Sequence, residues 1–158
     1  YMYSKDKIII DKSLENFFYI DIILKLFPKA KFIHTFRDNM DAKIAIYQAM
    51  LIHLPWAHSM NNISKYILNY EKVMNYFKKK YPEKILDIEL EKLTADPKYY
   101  SNKIYDFCNF NWSENVLEFF KNKNLATKTS SFLQIRDNIK KSKKNKYSSY
   151  YSLIKKLK

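Results

Sequence analysis

The chain has 158 residues and carries 29 Lys and Arg against 16 Asp and Glu, a formal charge of +13. Its length and 47% apolar content support one domain with a buried core; no apolar run reaches the roughly 18 residues of a membrane span, and a single cysteine, Cys108, excludes an internal disulfide and a cysteine-based zinc site. Glycine is absent altogether, where ordinary usage would give about 11, so the Walker phosphate loop, the dinucleotide fingerprint, the nucleophile elbow and the EF-hand loop, which need glycine for positive φ or close backbone approach, are excluded in their standard forms.

Taken in chain order, Lys7 to Asp11 (KIIID) is a short β-branched run that reads as a buried strand. Leu14 to Phe27 is apolar nearly all round, which predicts a largely buried helix, capped by Asp11 or Ser13 and stopped before Pro28. Ala30 to Arg37 predicts a second strand and Asp41 to Ile52 a helix ending near Pro55. The clearest helix is Ser59 to Lys80, where Met60, Ile63, Ile67, Tyr70, Met74 and Phe77 recur at three- and four-residue spacing and Tyr81-Pro82 ends the pattern. Ile85 to Leu90 predicts a third strand. Asp96-Pro97 is a cap followed by proline at the first helical position, and Tyr100, Ile104 and Phe107 then stripe one face. Ser113 caps a short helix with Val116, Leu117 and Phe120. From Asn122 the apolar pattern breaks up. Residues 140–158 hold eight lysines, with Tyr147, Tyr150, Tyr151, Ile154 and Leu157 placed for a last amphipathic helix.

Strands alternating with helices argue for a parallel α/β sheet within one domain spanning 1–158, with 140–158 as its lysine-rich C-terminal segment. Ligands of such sheets bind beyond the carboxyl ends of the strands. Lys12 follows the first predicted strand and Arg37 closes the second, so two cations at two strand exits describe an anion site in which they lie within one ligand's length of each other. The charge has two readings. Lys, Ile, Asn, Tyr and Phe, all with A/T-rich codons, make up more than half of the chain, so base composition accounts for much of the lysine. Only Arg37 and Arg136 are arginines, and a rigid bidentate fork suits phosphate better than a lysine does. His53 and His58 flank Pro55 at a poor metal spacing, and no metal is expected. His34 inside a strand reads as a satisfied core histidine, Met60 and Met74 as core, and Trp56 and Trp112 as packing anchors.

The ordered set of motifs is more specific than any one of them. Asp11-Lys12-Ser13-x-x-Asn16-Phe17 is followed by Phe27-Pro28-x-Ala30-Lys31-Phe32-Ile33-His34-x-x-Arg37-Asp38, then by Tyr66, Tyr70 and Met74 on one helix, Glu91-x-Leu93-x-x-Asp96-Pro97, Trp112, and Thr129-x-Ser131-x-x-Gln134-Ile135-Arg136. From about Lys7 to Tyr150 this order and spacing resembles the sulfotransferases, closest to the bacterial tetratricopeptide-repeat-fused and tyrosylprotein sulfotransferase-like branch. The resemblance implies an α/β, P-loop-kinase-like fold: a three-layer parallel sheet with helices on both faces. It implies transfer of a sulfuryl group from 3′-phosphoadenosine 5′-phosphosulfate (PAPS) to a hydroxyl or phenol, whether on a protein tyrosine, a glycan or a small molecule. The family's glycine-rich phosphosulfate loop lies upstream of these motifs and cannot be in this chain, so the chain reads as the C-terminal part of such a domain, lacking the N-terminal phosphate-loop unit and inactive alone. The branch's carboxylate base is upstream too, and no base is assigned.

By resemblance Lys12 stands near the transferring sulfuryl group, Arg37 on the 3′-phosphate, and Ser131, Gln134 and Arg136 in the segment that closes over the nucleotide. Lys146 matches a basic residue before a tryptophan that is Tyr147 here. Departures are Ala45 for a serine that bonds the 3′-phosphate, Leu90 for a tyrosine, and Asn138 and Asn145 for a proline and a glycine. Two alternatives stand beside the enzyme: a non-catalytic remnant or interaction module of the same fold, favoured by Ala45 and the missing glycines, and a basic nucleic-acid binder, resting on charge and on the interleaved aromatics of Lys146 to Tyr151. The motif spacings are unexplained by nucleic acid and disfavour the last. With no charged-apolar-small leader at the start, the cytoplasm is the default expectation.

Overall fold

The structure, a computed structural model, describes residues 8–121 and 137–156. After an irregular start, a 3-10 turn at Asn16–Tyr19 runs into helix α1 (Ile20–Leu26). Then follow β1 (Phe32–Phe36), α2 (Asn39–Gln48), a 3-10 turn at Pro55–His58, α3 (Met60–Lys80), β2 (Ile85–Glu89), α4 (Leu90–Ala95) and α5 (Pro97–Cys108). A 3-10 segment at Glu114–Lys121, a second at Ser148–Tyr150 and α6 (Tyr151–Lys156) complete the described chain. β1 and β2 pair in parallel, with Phe32 opposite Ile85, His34 opposite Asp87 and Phe36 opposite Glu89. This is the parallel α/β arrangement expected from the alternation of strands and helices.

The core forms where α1 and α3 cover one face of this sheet. Ile20 of α1, Met74 and Phe77 of α3 and Ile85 of β2 are buried together, with Phe17, Phe32, Tyr70 and Tyr81 packed against them. The buried positions of α3, Ile63, Ile67, Met74 and Phe77, fall on the face its sequence period marks. Burying a side chain of this size stabilises by about 1.5–3 kcal/mol, so this one helix carries much of the fold. α5 lies against β2, and Lys31 ties it to the start of β1 by donating to the Phe107 carbonyl and, at 3.1 Å, to the Asn109 side chain.

Two expectations are corrected. Ile8, Ile9 and Ile10 form no strand and are 68–85% exposed. A run that is apolar on both sides needs a neighbouring strand and cover on both faces, and among the described residues neither is supplied. The segment after Leu14 is not a largely buried helix either. It begins as 3-10, and of its apolar residues only Ile20 is fully buried, while Ile22, Leu26 and Phe27 are half exposed or more. A helix buries only the stripe it turns to its neighbours, and among the described residues nothing covers the other side of this one.

The helix ends follow local chemistry. The Asp38 carboxylate accepts from the Met40 and Asp41 amides at 2.9 and 3.0 Å and starts α2. Asp96 accepts from the Tyr99 amide at 3.0 Å and starts α5 with Pro97 in its first turn. Ser59 stands at the N-cap of α3 but makes no side-chain capping bond. Without glycine, asparagine takes the left-handed positions that end α5 and turn the C-terminal segment, Asn109 at φ 60° and Asn145 at φ 56°. Asp96→Ala is expected to lower stability by about 1 kcal/mol, read as a shifted midpoint in denaturant unfolding. An unchanged midpoint would show that the cap contributes nothing here.

Candidate functional site

Three chain segments meet at the carboxyl ends of the two strands. Arg37 leaves β1 and is 22% exposed, between two buried carboxylates: its Nη2 lies 3.7 Å from Asp41 at the start of α2, and its Nε lies 4.0 Å from Glu91 in α4. These are ion-pair distances, too long for hydrogen bonds, and both Glu91 oxygens are buried without a hydrogen-bond partner. The third segment is residues 137–151, which fold back as a strap across these ends. The Ser142 amide donates to Thr94 Oγ1 at 2.9 Å, Lys144 pairs with Glu89 at 2.6 Å, and the Lys146 and Tyr147 amides donate to Asp41 at 3.0 Å each. The Tyr151 hydroxyl adds a bond to Asp41 at 2.9 Å.

Asp41 is therefore the hub of the site. Its side chain is wholly buried. Burial alone would push its carboxyl up. The Tyr147 amide, the Tyr151 hydroxyl, the Lys146 amide and Arg37 outweigh that and hold it below the ordinary carboxylate range. Burial and the same carboxylate push the Tyr151 phenol up to about 12. In the sequence Asp41 stands out only as the start of a predicted helix. Its contact with residues more than 100 positions away has no local signature.

Below this cluster opens a cavity of about 370 Å³. Six consecutive residues, Phe32 to Arg37, line it, so it runs along the edge of β1 that β2 does not occupy. Ser13 and Asn16 line it from the loop that holds Lys12, closed by a 2.7 Å bond from Asn16 to Asp11. Lys12 itself is exposed. Its loop and Arg37 border one cavity, but Lys12 is not among the residues lining it, and the strand expected before it is not formed. Lys146 reaches the same cluster, but by its backbone; its ammonium lies 5.2 Å from the Tyr147 ring centroid. Ser131, Gln134 and Arg136 lie outside the described residues.

The far wall is aromatic and polar. Trp56 stacks on Tyr66 at 3.8 Å and 4°, and Phe17 stands edge-on to Tyr66 and Tyr70. Trp56 thus packs, as expected, but against a cavity wall; Trp112 packs elsewhere, its indole donating to Ser101 Oγ at 2.9 Å. His34 is a satisfied histidine, as its strand position suggested. Its Nδ1 is 2.7 Å from Asp87, its strand neighbour, and its Nε2 meets the Tyr70 hydroxyl. Asp87 in turn pairs with Lys78 at 2.7 Å. An ionised carboxylate only accepts, so Nδ1 carries the proton and Nε2 accepts from Tyr70. Burial, together with Lys78, outweighs Asp87 and lowers the His34 pKa below its ordinary value.

Among the described residues no three His, Cys, Asp or Glu side chains are grouped to hold a metal, and no helix is long and apolar enough to cross a membrane.

Comparison with known proteins agrees with the family resemblance. The model of the Sulfotransferase family matches residues 1–114, and the chain belongs to that family. It is 30% identical over 146 residues to an uncharacterized protein of Aquifex aeolicus (strain VF5), an alignment that covers 90% of this chain. The aligned part is 19% of that relative's own length, so this chain corresponds to about a fifth of it.

Proposed function

We propose that this chain supplies the 3′-phosphate and acceptor side of a PAPS-dependent sulfotransferase of the tyrosylprotein-like branch, with a three-layer, P-loop-kinase-like sheet in the complete domain. The observation that carries the reading is Arg37 fixed at the exit of β1, bordering the same cavity as the Lys12 loop. Asp41 and Glu91 hold the guanidinium at 3.7 and 4.0 Å, and among the described residues its Nε and Nη2 have no hydrogen-bond partner, which leaves N–H groups for a phosphate. Lys12 would offset charge that grows on the bridging and sulfuryl oxygens as the sulfur–oxygen bond breaks. The strap that contributes Lys146 would close over the nucleotide.

The same geometry limits affinity. Arg37 faces two carboxylates, so a phosphate meets a net negative cluster unless Lys12 and the strap lysines join it, and Ala45 offers no hydroxyl. A lost hydrogen bond to a charged group costs about 1.5–3 kcal/mol. The chain has no glycine for a 5′-phosphosulfate loop. Adenosine 3′,5′-bisphosphate is therefore expected to bind the 158-residue chain with a Kd near ~1 mM, more weakly as salt rises, and without sulfuryl transfer to phenols or sugars by this chain alone.

Calorimetry or NMR titration tests this against Lys12→Ala and Arg37→Lys. Arg37→Lys is the informative variant because it keeps a cation between Asp41 and Glu91 while removing the fork. Loss of binding in both supports the site, and equal binding by all three proteins overturns it. Much tighter binding to a random oligonucleotide would favour the nucleic-acid reading. Against that reading, Lys140 and Lys144 are paired with Asp137 and Glu89, so part of the tail's charge is spent within the protein.

A further inference from the structure

We propose that Tyr70, His34 and Asp87 form a proton relay that accepts the proton of an aryl hydroxyl bound in the cavity. The relay rests on the sulfuryl-transfer reading above and would act in place of the upstream carboxylate base that the branch resemblance implies. The geometry is that of a chain of directed bonds running from the cavity wall across the sheet. The Tyr70 hydroxyl donates to His34 Nε2, and His34 Nδ1 donates to Asp87 at 2.7 Å. Lys78 anchors the other Asp87 oxygen at 2.7 Å. With its own proton committed to His34, the Tyr70 oxygen keeps lone pairs that can only accept, so the ligand group it suits is a hydroxyl.

The walls select the rest of the ligand. Tyr70 and His34 line the cavity together with Phe17, Trp56 and Met74, and a volume of about 370 Å³ suits a one- or two-ring aromatic. Among the described residues lining it, Arg37 carries the one full charge, three residues or roughly 10 Å along the strand from His34. A neutral aromatic body therefore fits the inner end, with the anionic donor at the outer end.

The protonation states suit a relay. Burial and Lys78 keep His34 below its ordinary pKa, so it is neutral near pH 7 with Nε2 open to a proton. Burial, Asp87 and Glu71 push Tyr70 up to about 12, so it passes a proton on rather than storing charge. In the transfer, the aryl O–H bond breaks as its oxygen bonds to sulfur. Its proton goes to Tyr70 Oη, the Tyr70 proton goes to His34 Nε2, and Asp87 faces the resulting imidazolium. The bond from sulfur to the bridging oxygen breaks, and its electron pair leaves on the 5′-phosphate of the nucleotide. Tyr70 is the catalytic residue here; His34 and Asp87 act through it.

The test is a titration of the histidine-¹⁵N-labelled 158-residue chain with 2-naphthol, followed by NMR and by Trp56 fluorescence. Saturable binding that moves the His34 Nε2 signal is expected. Tyr70→Phe should abolish that movement and weaken binding about fivefold or more, and Asp87→Asn should change the His34 tautomer and the size of the shift. His34→Gln, with circular dichroism on every variant, guards against a Tyr70 change that merely unfolds the wall. No saturable binding, binding with His34 unmoved, or an identical response in Tyr70→Phe overturns the relay and leaves a structural polar contact. The nucleotide titration is independent: nucleotide binding without a naphthol response defeats the relay alone, and a naphthol response without nucleotide binding supports the hydroxyl site on Tyr70 and defeats the donor reading alone.

Discussion

Replacing Asp41 by alanine is expected to destabilise the protein by about 3–5 kcal/mol, the cost of breaking a buried ionic cluster by removing one partner. The wholly buried carboxylate accepts the Lys146 and Tyr147 amides and the Tyr151 hydroxyl, and its loss takes the acceptor from both amides and leaves Arg37 with Glu91 alone. The strap should detach from α2 before the core melts, because the sheet and α3 do not depend on it. Hydrogen exchange at Lys146 and Tyr147 would rise to nearly unprotected rates, while Ile63 and Ile88 stay protected. Asp41→Asn should cost less, since an amide oxygen can still accept. The pH dependence has a definite sign. The folded-state carboxyl sits below its ordinary value, so its contribution is complete above that value and is lost as pH falls through the folded one. The wild-type strap should loosen below about pH 4, and Asp41→Asn should show a shallower acid limb. An Asp41→Ala protein within about 1 kcal/mol of wild type would mean that the cluster is not structural.

Arg37→Ala is expected to be comparably severe, about 3–5 kcal/mol, although Arg37 is a cavity residue and not part of the apolar core. It stands between Asp41 and Glu91. Without it two buried carboxylates face each other at the strand ends, one of them with no hydrogen bond at either oxygen. Arg37→Lys should recover part of the loss, because a point charge can approach one carboxylate but cannot fork between two. Arg37→Met combined with Glu91→Gln should recover more than the sum of the single changes, since it removes the opposed charges together. Denaturant melts of the four proteins give the coupling energy. Additivity within about 0.5 kcal/mol would show that Arg37 and Glu91 do not interact.

Much of this was legible in the chain because it depends on local spacing. The three- and four-residue recurrence in Met60–Lys80 marks both the helix and the face it buries, since one helical turn is enough to set which residues share a side. The strands at Phe32–Phe36 and Ile85–Glu89, the cap at Asp96, and the order of family motifs are local in the same sense. Arg37 stood out because it is one of only two arginines in a lysine-rich chain, and its strand-exit position follows from the strand's length.

What only the tertiary structure decided depends on register and return of the chain. The apolar run Ile8–Ile10 looks like a buried strand by composition, yet burial needs partners that composition cannot supply, and these residues stand exposed. His34 and Asp87 are 53 residues apart and become a pair because parallel pairing sets them opposite each other; a shift of one residue would turn one of the two to the opposite face. Asp41 becomes a hub because the strap returns after more than 100 residues to spend its amides there. The difference has one physical cause: helical period and capping act within a few residues, whereas ion pairs, relays and buried carboxylates form where distant segments are brought together by the burial of apolar surface.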